Sequence, residues 1–280
     1  MKAFKRLVAD LLYSLLAAIF FSPIGAAQQP AQAPELAGIA HAAIRVADLA
    51  KSRAFYEKLG FEEAFSMSQG ATPTEAFLKI NDRQFIELYP QSQPSQQIGF
   101  MHVCFESADI ESLNRAYIAR GLSPTAVRKA GAGNLLFTMA GPEQQNIEYT
   151  QYMPGSKHTN DRGMHLGPNR ISQQIVAVGI ETQDPAAARI FYEQKLDFVP
   201  ASALEPEQDW LGLPGQPQQR VEIVQHAPGS EFQLFFGVSD LRRTAAQLKA
   251  LGIAVQKRKS TLSIQDPDGN RIIFAIVKTE

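Results

Sequence analysis

The sequence predicts an α+β fold built from tandem βαβββ repeats, and three observations carry that prediction. First, the text ADLAKSRAFYEKLGF (47–61) returns as ADIESLNRAYIARGL (108–122), as QDPAAARIFYEQKLDF (183–198) and as SDLRRTAAQLKALGI (239–253). Second, a β-rich run precedes every copy and further strand-like runs follow it. Third, a polar stretch rich in Gly and Pro, MPGSKHTNDRGMHLGPNR (153–170), divides the four copies into two pairs. A repeat of this length marks one supersecondary unit used several times.

The elements follow in order. Lys2, Lys5 and Arg6 precede the apolar run LVADLLYSLLAAIFF, and small residues follow before a Gln/Pro/Ala segment. That order reads as a secretory signal over 1–27, cleaved after Ala27, with an uncleaved N-terminal membrane anchor as the alternative. Residues 28–37 form a polar N-terminal segment. No Cys lies near the cleavage region, so a lipoprotein anchor is not supported. Opening strands are expected in GIAHAAIRV, FMHVCFES, QQIVAVGIE and FQLFFGV. Asp48, Asp109, Asp184 and Asp240 then stand where a side-chain oxygen caps an amphipathic helix. Gly60, Gly121 and Gly252 stop three of the helices twelve residues later, whereas the third copy has one extra residue and Asp197 in that place. The expected organisation is one module over 38–153, a linker over 154–171 and a second module over 172–280.

Composition narrows the function. With 45% apolar and 20% charged residues in 280, the chain is globular and not disordered. Its 27 basic and 28 acidic residues give a net charge of −1, which excludes an electrostatic footprint for nucleic acid. The expected partner is a small-molecule substrate, without stable membrane association after cleavage; a homodimer is left open. The single cysteine, Cys104, excludes an internal disulfide.

The repeat also organises the chemistry. His41 lies in the opening strand of the first copy and Glu87 in its last strand, 46 residues on (87 − 41). His102 and Glu148 hold the same places in the second copy, again 46 apart (148 − 102), and each pair is displaced by 61 (102 − 41, 148 − 87). Residues two apart on a strand share a face, and by that parity all four leave the helix-packed face. Two imidazoles and two carboxylates converging on one cavity need a positive charge between them. The donor set suits one divalent ion, Ni²⁺, Zn²⁺, Mn²⁺, Co²⁺ or Fe²⁺, without choosing among them.

On these residues, together with FYEKLGF and DPDGNRI, the sequence resembles the vicinal oxygen chelate superfamily, which includes glyoxalase I, methylmalonyl-CoA epimerase, extradiol dioxygenases and the fosfomycin and bleomycin resistance proteins. The resemblance covers roughly 38–153 and 172–278 and implies two glyoxalase-like modules, each a cupped half-open barrel. The His, Glu, His, Glu order looks most like glyoxalase I, where four such residues hold the ion. The dioxygenase pattern would use His41, His102 and Glu148, and Glu87 departs from it.

The second module serves as an internal control. Aligning its helices places Ala177, Glu222, Gln233 and Ile273 at the four ligand positions, so it is expected to keep the fold and lack the metal. Further candidates surround the first site. Arg45 is placed to hold a substrate anion, with a solvated strand-end arginine as the alternative. Phe85, Tyr89, Phe100 and Tyr152 are expected to line the pocket or pack structurally. Cys104 shares the His102 face, as a wall of the cavity or as an inert buried thiol. His158 and His165 fall in the linker, where exposure is expected.

The resulting expectation is an exported, periplasmic Lewis-acid isomerase or lyase of the glyoxalase type, with Glu148 or Glu87 as the proton-transferring base. Fe(II)-dependent extradiol cleavage and non-catalytic small-molecule binding or resistance are the alternatives.

Overall fold

A computed structural model describes residues 32–202, 204, 209–226 and 232–277. The expected signal over 1–27 lies outside the described residues. The first half contains β1 (Leu36–Val46), α1 (Leu49–Lys58), β2 (Glu63–Gln69), β3 (Thr72–Lys79), β4 (Phe85–Pro90), β5 (Gly99–Ser107), α2 (Ile110–Ala119), β6 (Arg128–Lys129), β7 (Leu135–Ala140), β8 (Asn146–Gln151) and a one-turn α3 (Lys157–Asn160). The second half contains β9 (Ile175–Thr182), α4 (Pro185–Leu196), β10 (Val199–Pro200), β11 (Asp209–Leu213), β12 (Gln216–Gln225), β13 (Gln233–Val238), α5 (Leu241–Ala250), β14 (Gln256–Lys257), β15 (Thr261–Gln265) and β16 (Arg271–Ile276).

These strands form two eight-stranded mixed sheets of identical plan, β2-β3-β4-β1-β5-β8-β7-β6 and β10-β11-β12-β9-β13-β16-β15-β14. The plan is two βαβββ units back to back. The opening strands β1 and β5 pair antiparallel at the centre, and each runs parallel to the last strand of its own unit.

Local chemistry explains the repeat of the helices. Each of the four aspartates has non-helical backbone and accepts from an amide in the first turn, Asp48 from Lys51 at 3.1 Å and Asp109 from Ser112 at 3.0 Å. Three helices end on a glycine with positive φ, +89° at Gly60, +78° at Gly121 and +67° at Gly252. Asp197 adopts the same left-handed geometry at φ 62°, which explains why the longer third copy still turns there.

The helix-side faces of both sheets share one core, with Phe61 stacked on Phe236 at 5.1 Å and Phe105 edge-on to Phe198 at 5.5 Å. A buried amide fastens the two opening strands across the halves. Gln84 Oε1 accepts from the Ile175 amide at 2.8 Å, while its Nε2 donates to the carbonyls of Ile175 at 3.0 Å and Ile39 at 3.2 Å. Gln219 Oε1 accepts from the Ile39 amide at 2.6 Å.

The connector over 154–171 does not stay on the surface. It folds back on the first sheet, where the fully buried Lys79 ammonium donates to the Asp161 carboxylate at 2.7 Å and to its carbonyl at 2.5 Å. A lysine so buried needs charged partners; Asp82 supplies one at 2.9 Å and the connector brings a second. The expectation of exposure is therefore corrected for His158, which is buried at 4% exposure. His165 keeps a 41% exposed side chain beside Asp161.

Candidate metal centre

Two rows of residues cross the first sheet and build the site. Along one, Phe85, His41, Cys104 and Glu148 are successive Cα partners on β4, β1, β5 and β8. Along the next, Phe77, Glu87, Ala43 and His102 are partners on β3, β4, β1 and β5. Small Ala43 leaves the space that the longer side chains on either side fill.

The four sequence candidates meet. His41 Nε2 lies 3.1 Å from His102 Nε2 and 3.5 Å from Glu148 Oε1, and His41 Nδ1 lies 3.0 Å from Glu87 Oε1. The last approach lacks hydrogen-bond geometry, so Nδ1 is buried without a hydrogen-bond partner. Ligand atoms of His41, Glu87 and His102 fall within 4.8 Å of one another, and so do those of His41, Cys104 and Glu148. Two ring nitrogens 3.1 Å apart match neighbouring ligands about one ion at roughly 2.1 Å each. The residues present thus fit a divalent ion.

Electrostatics point the same way. Burial pushes the carboxyls of Glu75, Glu87 and Glu148 up to about 7, and Glu75 is raised further by the neighbouring Glu87 charge. Burial lowers His41, against the pull of Glu148, and takes His102 down to about 3 with the help of His41. It also holds Cys104 as the thiol, reinforced by Glu148. Neutral imidazoles beside carboxyls near neutrality form an anionic cup, which a cation would stabilise.

A cavity of about 210 Å³ opens over this cup, lined by His41, Glu75, Phe77, Glu87, Tyr89, Arg128, Asn134, Glu148, Thr150, Tyr152 and His158 among others. Tyr89 Oη lies 3.0 Å from Glu87 Oε2 and also touches the Glu75 carboxyl. One phenolic proton cannot serve both carboxyls. The Tyr89 hydroxyl therefore donates to one of Glu75 and Glu87 at a time and sits between the two carboxyls. On the opposite wall, Asn134 Oδ1 accepts from the Met153 amide at 3.2 Å, which turns its Nδ2 to His158 Nδ1 at 2.8 Å. That bond makes Nδ1 the acceptor and leaves the proton on Nε2, which has no partner among the described residues. The His158 ring stacks on Tyr152 at 5.0 Å and meets Phe65, Phe77 and Phe85 edge-on.

Three expected pocket residues lie elsewhere. Phe100 is turned away because Met101 is an extra residue in the β1/β5 ladder, where His102 pairs with Ala43 but Phe100 already pairs with Ile44. A bulge of one residue reverses the alternation, and Phe100 stacks instead on Phe232 of the second half at 4.4 Å. Arg45 is off the cavity wall and donates to the Gln97 carbonyl at 3.2 Å. Phe85 is fully buried behind His158 and supports the wall without reaching the cavity. Tyr89 and Tyr152 do line it, and Cys104 lies beneath it. Glu75, Arg128, Asn134 and His158 are cavity residues that the sequence reading missed. Alternation in TEAFLKI placed Glu75 on the same face as Phe77, a usable signal; nothing periodic marked His158.

Comparisons with known proteins agree with this architecture. Residues 38–149 match the Glyoxalase/Bleomycin resistance protein/Dioxygenase superfamily, and residues 177–275 match a glyoxalase-like domain. The chain belongs to the vicinal oxygen chelate superfamily, with two tandem modules. Similar solved structures include the 2,3-dioxygenase LapB from Pseudomonas sp. KL28, with TM-score 0.66 and 15% identity over 89% of this chain and 94% of that one. An extradiol ring-cleaving dioxygenase from B. fuscum gives TM-score 0.67 and 17% identity over 89% and 74%. A Mn(II)-bound glyoxalase from Novosphingobium aromaticivorans gives TM-score 0.66 and 14% identity over 86% and 82%. Comparison with curated proteins returns no match.

Proposed function

We propose that this chain is an exported, metal-dependent enzyme whose first module acts on a small ligand with two adjacent oxygens by glyoxalase-type isomerase or lyase chemistry. The observation that supports it best is the convergence of His41, Glu87, His102 and Glu148 in one buried cup. These four residues would hold the ion, which when bound supplies Lewis acidity toward ligand oxygens. Glu87 or Glu148, when loosened from the ion, is placed to take a proton from a ligand carbon and return it. Tyr89 and Glu75 steady Glu87 from behind. Arg128 draws an anionic ligand to the mouth, and the Tyr152 and His158 rings exclude water from one wall. Export would remove the cytosolic thiol adducts and acyl-CoA esters of the superfamily from the candidate substrates.

Extradiol ring cleavage is the second reading, favoured by the hydrogen bond that engages Glu87 with Tyr89. With Glu87 so held, His41, His102 and Glu148 remain as a three-residue set. Protein reloaded with Ni²⁺, Zn²⁺, Mn²⁺, Co²⁺ or Fe²⁺ and offered dicarbonyl adducts or catechols, with and without air, separates the readings. Turnover without oxygen and with several ions supports the first. Oxygen-dependent catechol cleavage with Fe²⁺ alone replaces it with the second, and binding without turnover makes the chain a small-molecule binding protein. For export, the mature chain is expected to begin near Gln28 outside the cytoplasm; an intact Met1 in a membrane fraction would favour the anchor.

A further inference from the structure

Strand register puts Cys104 at the middle of the metal centre. On the three adjacent strands β1, β5 and β8, Cys104 is the Cα partner of His41 on one side and of Glu148 on the other. Neighbouring strands lie about 4.8 Å apart, so an ion shared by His41 and Glu148 lies over the strand between them. The residue at that level is Cys104. Its Sγ, one ring nitrogen of His41 and one carboxylate oxygen of Glu148 lie within 4.8 Å of one another, a spread that ligands at about 2.0–2.3 Å from one ion can occupy.

His41, 4% exposed, turns its Nε2 to Glu148 at 3.5 Å and to His102 at 3.1 Å, while its unpartnered Nδ1 faces Glu87. In the second module the corresponding row is Ala177, Phe235 and Ile273, so all three positions are apolar together, while the neighbouring row keeps Glu222 and Gln233. The three residues behave as one unit.

We infer that Cys104 is a thiolate ligand of the metal centre, which makes the donor set nitrogen, oxygen and sulfur and favours zinc, cobalt or cadmium over manganese. The assignment rests on the metal-dependent reading above. Coordination breaks the S–H bond, the proton leaves to solvent, and a sulfur lone pair binds the ion without any change of oxidation state. Because Cys104 is the only cysteine, a thiolate signal from this protein has one source.

The test loads the full chain with Co²⁺ and reads stoichiometry together with near-ultraviolet absorption. Wild type is expected to show a thiolate-to-cobalt charge-transfer band at one ion per chain. Cys104→Ser and Cys104→Ala are expected to take up the ion without the band and to lose about tenfold or more in Zn²⁺ affinity, with Mn²⁺ affinity nearly unchanged. Stoichiometric cobalt without the band, or an intact band in Cys104→Ser, overturns the assignment and leaves the metal centre standing. No cobalt uptake by wild type overturns both.

Discussion

The two cups share a backbone and differ in what fills them. Across the first, one row reads Phe85, His41, Cys104, Glu148; across the second, the same register reads Arg220, Ala177, Phe235, Ile273. Where the first module has an open anionic cavity, the second packs Trp210 edge-on to Phe235 at 5.0 Å, with Val176, Ala177 and Ile273 around them. The strand order is nevertheless identical. The βαβββ pair therefore needs its helix-side core to fold, and its concave face is free to carry either ligands or hydrocarbon.

The most severe test of this contrast is removal of His41, which belongs to both three-residue groups of close ligand atoms. His41→Ala is expected to lower metal affinity by about 100-fold or more, whereas Glu222→Ala in the other cup leaves metal content unchanged; elemental analysis of the two variants decides. Next comes a charge in the packed cup. Ile273 is fully buried, so Ile273→Glu is expected to cost about 3 kcal/mol or more in urea unfolding, as an unpaired buried carboxyl. A loss below about 1 kcal/mol would show that the second cup tolerates polar groups as readily as the first.

A subtler expectation concerns pH in metal-free protein. The carboxyls of Glu75, Glu87 and Glu148 rise from 4.5 to about 7 on folding, so they destabilise the fold as pH climbs through that window. Lowered imidazoles act oppositely: His102 and His158 fall from 6.5 to about 3 and destabilise the fold as pH drops through that range. The two trends oppose each other between 4.5 and 6.5, so Tm changes least across that plateau and falls on both sides. In Glu87→Gln/Glu148→Gln the carboxyl share shrinks, and the plateau should tilt, with Tm declining as pH falls below 6.5. An unchanged plateau would contradict the burial of these groups.

The smallest effect is expected at His158. His158→Phe fits the surrounding aromatic rings but leaves the Asn134 amide unpaired, at a cost of about 1 kcal/mol. Metal content should stay, measured in parallel with stability, and its loss would place His158 inside the centre instead of on the wall.

Much of this was legible in the chain because repetition turns sequence spacing into spatial equivalence. The step of 61 residues that relates His41 to His102 also relates Asp48 to Asp109, and the sheet plan places both pairs in matching positions. Alternation failed only where the ladder does: at Met101, a single bulged residue sent Phe100 to the other face. No local pattern shows a bulge in advance, since it arises from how two strands pair. His158 was hidden for a different reason. Its segment has the composition of an exposed loop, and what marks its burial is a contact far apart in sequence, the Asp161 carboxylate on Lys79, 82 residues earlier.

The Gln84 amide between the halves bears on the protein's history. It satisfies backbone groups of Ile39 and Ile175 at once, so separating the halves would break those bonds, each worth about 0.5–1.5 kcal/mol, and expose the core they share. Once such a clasp had formed after duplication, the second copy could drift away from chemistry but not be discarded. A half that no longer needs its own ligands is kept by the other as a structural dependant, and the two are expected to melt in a single transition.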